Sequence, residues 1–322
     1  MIKKSILPFL IFFCFCSIFA QEKSIDSTYE KDTDFIRTYL NRITARTFFV
    51  NTSNSFVINS RFDEEKFELT PNKQDRVGAS VSFRFVTLSY SISPNFLSEN
   101  ADNEDSRLFN LDLRFYFGKW MQTFDVFSQK GFYIGYGNIK PYFPDIRTVK
   151  IGGSTSYIFN ENFSFRAIAT QDEQQLKSAG SFIPRVYYFY TKYRIQSGNI
   201  DDKLHSYDLA FAPAYFYNFV PFENFLLSVG ASAGIGLNHS ISSDETLTSF
   251  LTELNFRSAV TYNISNFYFG GHYSYLILNH NTDRYSYVKD HIPYLQLFIG
   301  YRFRAPKQWV KLADSLEEKV GI

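Results

Sequence analysis

His272-Tyr273-Ser274 sets an imidazole and a hydroxyl two residues apart, a spacing that puts both on one face of a β-strand. A histidine base beside a serine nucleophile is an arrangement for ester hydrolysis, and on a lipid-facing strand its substrate would be a lipid. The alternation around it gives Phe267, Phe269, Tyr273, Tyr275 and Ile277 to the lipid and turns His272 inward, with no carboxyl or amide assigned to orient it. His205-Ser206 and His239-Ser240 are adjacent pairs, so in strands their members point to opposite faces. The histidines at 205, 239, 272, 280 and 291 lack the spacing of a metal site, and no metal or cofactor is expected. Gly230, Gly234 and Gly236 share a strand face with no helix after them, unlike a phosphate-binding loop. No motif carries catalysis, and the chain reads as a non-enzyme, with lipid hydrolysis the enzymatic alternative.

The charged residues are more informative. Arg84, Asp112, Arg114, Arg166, Arg185, Asp208, Glu253, Arg257 and Arg302 fall on the minority faces of apolar stretches. A charge at mid-depth in lipid costs about 2–4 kcal/mol, so these side chains must point into a lumen. The cationic excess suits an anionic solute, or charges paired to brace a closed lumen. Between Arg166 and Arg185 runs Q-D-E-Q-Q-L-K-S-A-G-S, from Gln171 to Ser181. Arg114, Arg166, Gln171, Glu173, Gln174, Arg185 and Arg257 are the candidate lumen-lining polar cluster, with Glu173 placed to pair with one of the flanking arginines.

The elements that would hold these residues alternate with period two. Phe109, Leu111, Leu113, Phe115 and Phe117 oppose Asn110, Asp112, Arg114 and Tyr116, and Leu295, Leu297, Ile299, Tyr301 and Phe303 oppose Gln296, Phe298, Gly300 and Arg302. Strands are expected near 45–59, 76–84, 86–93, 107–117, 119–127, 132–139, 148–159, 162–170, 182–196, 206–218, 224–239, 249–263, 266–278 and 291–304. The reading is all-β: a transmembrane antiparallel up-and-down β-barrel of fourteen strands. The alternative is twelve, with one hairpin folded inward, because fourteen makes 139–148 and 171–181 into long turns on the periplasmic side. Short turns near 84–86, 117–119, 220–224 and 263–266 belong to the periplasm and long connections to the outside, which leaves both termini periplasmic. Gly78, Ser80 and Ser82, Gly152, Ser154 and Ser156, and the small residues from Ser228 to Gly236 make low walls whose facing space something must fill.

Composition agrees with an envelope location. Of 322 residues, 37 are Phe and 23 Tyr, well beyond what a soluble core uses. The start, Met1 to Ala20, is a secretory signal peptide with basic Lys3 and Lys4 and an apolar run. Removing those two lysines from 33 basic residues leaves 31 against 32 acidic ones, a net charge of −1 that offers nucleic acid no bulk attraction. Cys14 and Cys16 leave with the signal peptide. The expected organisation is a signal peptide at 1–20, a periplasmic segment at 21–44, the barrel at 45–304 and a periplasmic tail at 305–322. Short amphipathic helices are expected at both ends, through Phe35, Ile36, Tyr39, Leu40 and Ile43 and through Trp309, Leu312, Leu316 and Val320.

The block Gln171–Phe182, preceded by F-S-F-R at Phe163–Arg166, resembles an uncharacterised family, a domain of unknown function among predicted outer-membrane barrels of Gram-negative bacteria. The resemblance implies an outer-membrane barrel surrounded by lipid and adds no substrate. The polar block itself reads either as a turn that fixes register or as a binding element. The leading functional expectation is a structural or assembly component of the envelope with a plugged lumen. A small-solute pore or transporter is the alternative, and a lipid-modifying enzyme comes third. Expected partners are outer-membrane lipid, the barrel assembly machinery, which reads an aromatic-ended final strand, and an envelope protein.

Overall fold

The computed structural model describes residues 31–52, 55–60, 66–72, 75–97, 106–135, 140–197, 200–243, 246–281 and 286–320. The expected signal peptide and the polar segment after it lie outside them. The strands are β1 (Lys31–Asp32), β2 (Ile36–Thr38), β3 (Arg42–Thr52), β4 (Ser55–Ser60), β5 (Lys66–Pro71), β6 (Asp75–Phe83), β7 (Val86–Ile92), β8 (Arg107–Phe117), β9 (Trp120–Gly135) and β10 (Tyr142–Tyr157). They continue as β11 (Glu173–Gln175), β12 (Ala179–Ile183), β13 (Arg185–Ser197), β14 (Ile200–Phe211), β15 (Ala214–Phe222), β16 (Phe225–Ile241), β17 (Thr246–Ile264), β18 (Phe267–Asn281) and β19 (Ser286–Arg304). Among the described residues two α-helices join them, α1 (Arg166–Ala169) and α2 (Lys307–Val320).

β1, β2 and β11 form a small sheet of their own, and the remaining sixteen strands form one antiparallel sheet that closes on itself. The last strand pairs with the first, Arg304 opposite Arg42 and Tyr294 opposite Thr52, and the same register runs on into β4 at His291 opposite Ser55. Four strands continue their neighbours across short irregularities: β3 into β4, β5 into β6, β12 into β13 at Pro184, and β14 into β15 at Pro213. Among the described residues the circuit therefore closes through twelve staves. The architecture is the expected barrel, with the strand count of the inward-hairpin alternative.

Two expected strands account for the difference. The strands expected at 119–127 and 132–139 are one strand, β9, turned through Gly131 at a φ of +92°. Up to Lys130 this strand pairs with β8, and from Phe132 it pairs with β5 above the short β7–β8 hairpin. A residue with a side chain is strained at that φ, and a Cβ there would collide with the Ser106 hydroxyl and the Tyr142 phenol. The strand expected at 162–170 is instead a loop and the short helix α1, because the Ser164 hydroxyl accepts the Ala167 N–H at 2.9 Å and turns the chain into a helical bend.

The helix expected near residues 33–44 is also replaced by strand. Thr33 has capping chemistry, but its Oγ1 accepts the Ile36 N–H at 3.0 Å and returns a bond to the Ile36 carbonyl at 3.1 Å, closing a turn that leads into β2. β2 is extended because β11 gives it a partner, Arg37 opposite Gln174. The C-terminal helix forms as expected, starting after Pro306.

The outer surface carries Leu209, Phe250, Leu254, Leu297 and Ile299 among many exposed apolar side chains, while the alternate positions are buried and largely polar. That alternation, wrapped round a closed sheet, is the surface of a protein that spans the outer membrane. No helix among the described residues is long and apolar enough to cross a membrane. Several strands exceed the roughly 9–11 residues that a bilayer needs, as in β17 and β19 with 19 each, so the outer ends stand clear of lipid. The residues left between the expected strands at 240–248 and 279–290 are therefore partly strand. β3 starts at Arg42 and β19 ends at Arg304 on the side of the barrel where the short turns lie.

Candidate functional site

Twelve staves enclose more space than their own side chains fill, since about eight make a barrel that is packed shut. Part of that space is taken by rings leaning over the small residues of neighbouring strands: Phe48 covers Gly78, Phe189 covers Gly152 and Phe216 covers Gly230. The rest of the half nearest the short turns is filled by the connection from Ile158 to Ser178. Phe163, Phe165, Ala167, Ile168 and Ala169 from this connection pack with Tyr116, Met121, Phe216, Leu226 and Ala259 of the wall into one apolar cluster. Phe165 meets Phe216 edge-on at 5.3 Å.

Polar bonds tie this plug to the wall on several sides. Gln171, at a φ of +56°, accepts from Arg46 Nη1 at 2.7 Å through its side chain and from Arg302 Nε at 2.9 Å through its carbonyl. Gln174 accepts from the Tyr39 hydroxyl at 2.7 Å and donates to the Glu223 carbonyl at 3.0 Å. Asn218 Nδ2 donates to the Ser164 carbonyl at 2.9 Å and to Gln175 Oε1 at 3.0 Å. Arg166 donates to the carbonyl of Arg84 in the β6–β7 turn, and its guanidinium lies 5.1 Å from the Tyr116 ring. The N-terminal segment joins in just before β2, with the Leu176 N–H bonded to the Phe35 carbonyl at 2.7 Å.

The charged partners sort themselves by location. Arg166 pairs with Asp172 and lies 3.6 Å from Glu173. Burial would depress the Arg166 guanidinium, and the two carboxylates more than offset it. Arg185 pairs with Glu253 across the lumen wall, away from the plug carboxylates. Arg114 is held at 3.1 and 3.3 Å by both oxygens of Asp112 on its own strand. Of the seven residues expected to line the lumen, Arg166, Gln171, Glu173 and Gln174 thus meet in the plug, while Arg114, Arg185 and Arg257 line the chamber above it.

Arg302, expected to point inward, is an anchor of the plug, while Tyr39, Arg46 and Asn218 contribute without having been expected to. Their signal was present: each is a polar residue on the minority face of a strand or at its edge. Their partners, however, are on a segment far away in the chain. Gly180, in the polar block that could be read as a turn, lies in β12 opposite Tyr217. The chamber consists of two adjoining cavities of about 320 and 290 Å³, both bordered by Asp112, Arg114, Asp125 and Arg257. His272 and Ser274 border the second cavity, so the imidazole faces the lumen, bonded to Gln296 at 3.0 Å. No cluster of metal-ligating side chains occurs among the described residues.

The model of a domain of unknown function, DUF4421, matches residues 30–303, and the chain belongs to that family. No curated protein matches it. Among solved structures it is similar to the COG4313 outer membrane channel from Pseudomonas putida F1, with 8% identity and a TM-score of 0.40 over 87% of this chain and 100% of that one. It is similar to in-vitro folded OmpT, an outer membrane protein of Vibrio cholerae, with 11% identity and a TM-score of 0.34 over 85% of this chain and 99% of that one. The outer membrane protease OmpT from Escherichia coli has 9% identity and a TM-score of 0.32 over 85% and 99%.

Proposed function

We propose that this barrel works closed, as a structural or assembly component of the outer membrane whose lumen is plugged from the periplasmic side. The observation that carries this reading is the anchoring of Gln171, which is 1% exposed and bonded at once to Arg46 of β3 and Arg302 of β19. A plug held through buried, charge-assisted bonds to several staves resists displacement, since breaking one of them leaves a cation in the lumen without its partner. Biogenesis through the barrel assembly machinery and an envelope protein partner on the periplasmic side belong to the same reading. Supporting them are the exposed stripe of Leu295, Leu297 and Ile299 on the final strand and the exposed Trp309 and Leu312 of α2. Planar-bilayer recording from the purified protein is expected to show no steady conductance, and a steady ohmic current from the wild type would overturn the proposal.

A second reading, solute passage on displacement of the plug, draws on the charged chamber beyond it. It predicts a silent wild type and a conducting variant in which the plug anchors are removed.

A further inference from the structure

Three guanidinium groups reach the second cavity without a carboxylate of their own. Arg76 is 6% exposed, its Nε has no hydrogen-bond partner, and it makes no ion pair among the described residues. Its guanidinium lies 5.9 Å from the centre of the Phe127 ring, and Tyr294 borders the same cavity. Arg257 also has no hydrogen bond or ion pair among the described residues, and the carboxylate on its own strand, Glu253, is engaged by Arg185 and Ser232. Arg46 is bonded only to neutral oxygens, Ser80 Oγ at 2.8 Å and Gln171 Oε1 at 2.7 Å.

The acids do not cancel this charge. Asp112 and Asp125 border the cavity, but Asp112 is bound by Arg114, and Asp125 shares a hydrogen bond with Asp112 and lies near Arg114 and Lys150. His272 borders the same cavity, its Nε2 turned toward the Ile168 carbonyl of the plug without reaching a well-formed hydrogen bond. Desolvating a cation without an opposite charge costs several kcal/mol, whereas a planar guanidinium matches the oxygens of a phosphate, sulfate or carboxylate.

We propose that the chamber is a binding site for a small oxyanion, drawn by the positive field of Arg76, Arg257 and Arg46. At about 290 Å³ the cavity takes a free anion or a small molecule bearing one such group. The site stands apart from the plugging role: a barrel that never conducts can still bind an anion above its plug.

The test is calorimetric titration of the detergent-purified full chain at low ionic strength with inorganic phosphate, sulfate and acetate in separate arms, and with sodium chloride as the ionic-strength control. Saturable binding of at least one oxyanion is expected, weakened about tenfold or more in both Arg76→Gln and Arg257→Gln. The surface variant Lys307→Gln is expected to bind as the wild type. If one glutamine variant fails to fold, the other decides. If both fail, Arg76→Lys reads the same loss, because it keeps the charge and removes the fork. The arms also separate a phosphate-selective site from a general oxyanion site. Absence of saturable heat beyond the chloride control in every arm, or unchanged affinity in the folded variants, overturns the proposal.

Discussion

Arg302 donates through Nε to the carbonyl oxygen of Gln171 at 2.9 Å, joining the last strand of the barrel to the tip of the segment that fills it. The same guanidinium lies 4.1 Å from the centre of the Tyr39 ring and bonds Asn263 at 2.7 Å. One buried cation therefore holds the plug, the N-terminal segment and the β17–β18 turn in register. Sealing the barrel and filling it are coupled.

Gln171→Ala removes the acceptor of Arg46 and leaves a buried guanidinium short of a bond, a penalty of about 1–3 kcal/mol. The variant should show a lower heat-modification temperature than the wild type on detergent gels. The paired change of Glu173 and Gln174 to Ala should act in the same direction, because it also removes the partners of Ser164 and Tyr39. Wild-type melting in both variants would mean that the plug contributes nothing to holding the barrel.

Face assignment is testable on one strand. Leu254 is 57% exposed on the outer surface and Asn255 is buried against the lumen. Leu254→Arg should cost about 2–4 kcal/mol and reduce the heat-modifiable folded band. Asn255→Arg, which enters the chamber, should assemble more readily. Equal behaviour would refute the register of β17.

Gly131→Ala should destabilise the outer rim, where β9 changes partner from β8 to β5. Its effect should exceed that of Gly135→Ala on the same strand, where a Cβ meets only ordinary contacts. Comparing the two melting temperatures checks this.

Burial raises the Glu173 carboxyl above its ordinary 4.5, with Arg166 pulling it back down. A folded state that holds the proton more tightly than the unfolded one gains stability as pH falls through that raised value, and loses it as pH rises. Glu173→Gln should therefore flatten the pH dependence of melting relative to the wild type, with the gap between them widest at neutral pH and above. Parallel profiles would show that Glu173 does not titrate in the plug.

Arg84 bonds Asp314 at 2.6 Å and Glu317 at 3.0 Å, and Phe83 lies 6.2 Å from Trp309. Arg84→Ala should release α2, making the C-terminal tail more sensitive to limited proteolysis while the barrel keeps its heat-modifiable band. An unchanged cleavage rate would place the hold on α2 elsewhere.

The faces of the strands were legible because lipid and lumen alternate at the period of the backbone itself: Leu111 and Asp112 could not exchange places without putting a charge into hydrocarbon. The short turns at Gly118 and Asn266, the closing stripe of β19 and the helix after Pro306 were legible for similarly local reasons. Tertiary structure decided where local pattern ran out. The alternation from Phe163 to Thr170 has the look of a strand, yet its two sides are both buried, by apolar packing and by polar bonds to the wall, so period two no longer reports one wet face. The N-terminal segment has helical spacing but pairs with β11, 137 residues away between Arg37 and Gln174. Glu173 could be matched to Arg166 nearby in the chain, whereas the anchors Arg46, Arg302 and Tyr39 could not, because only closure of the barrel brings its first and last strands to the same plug.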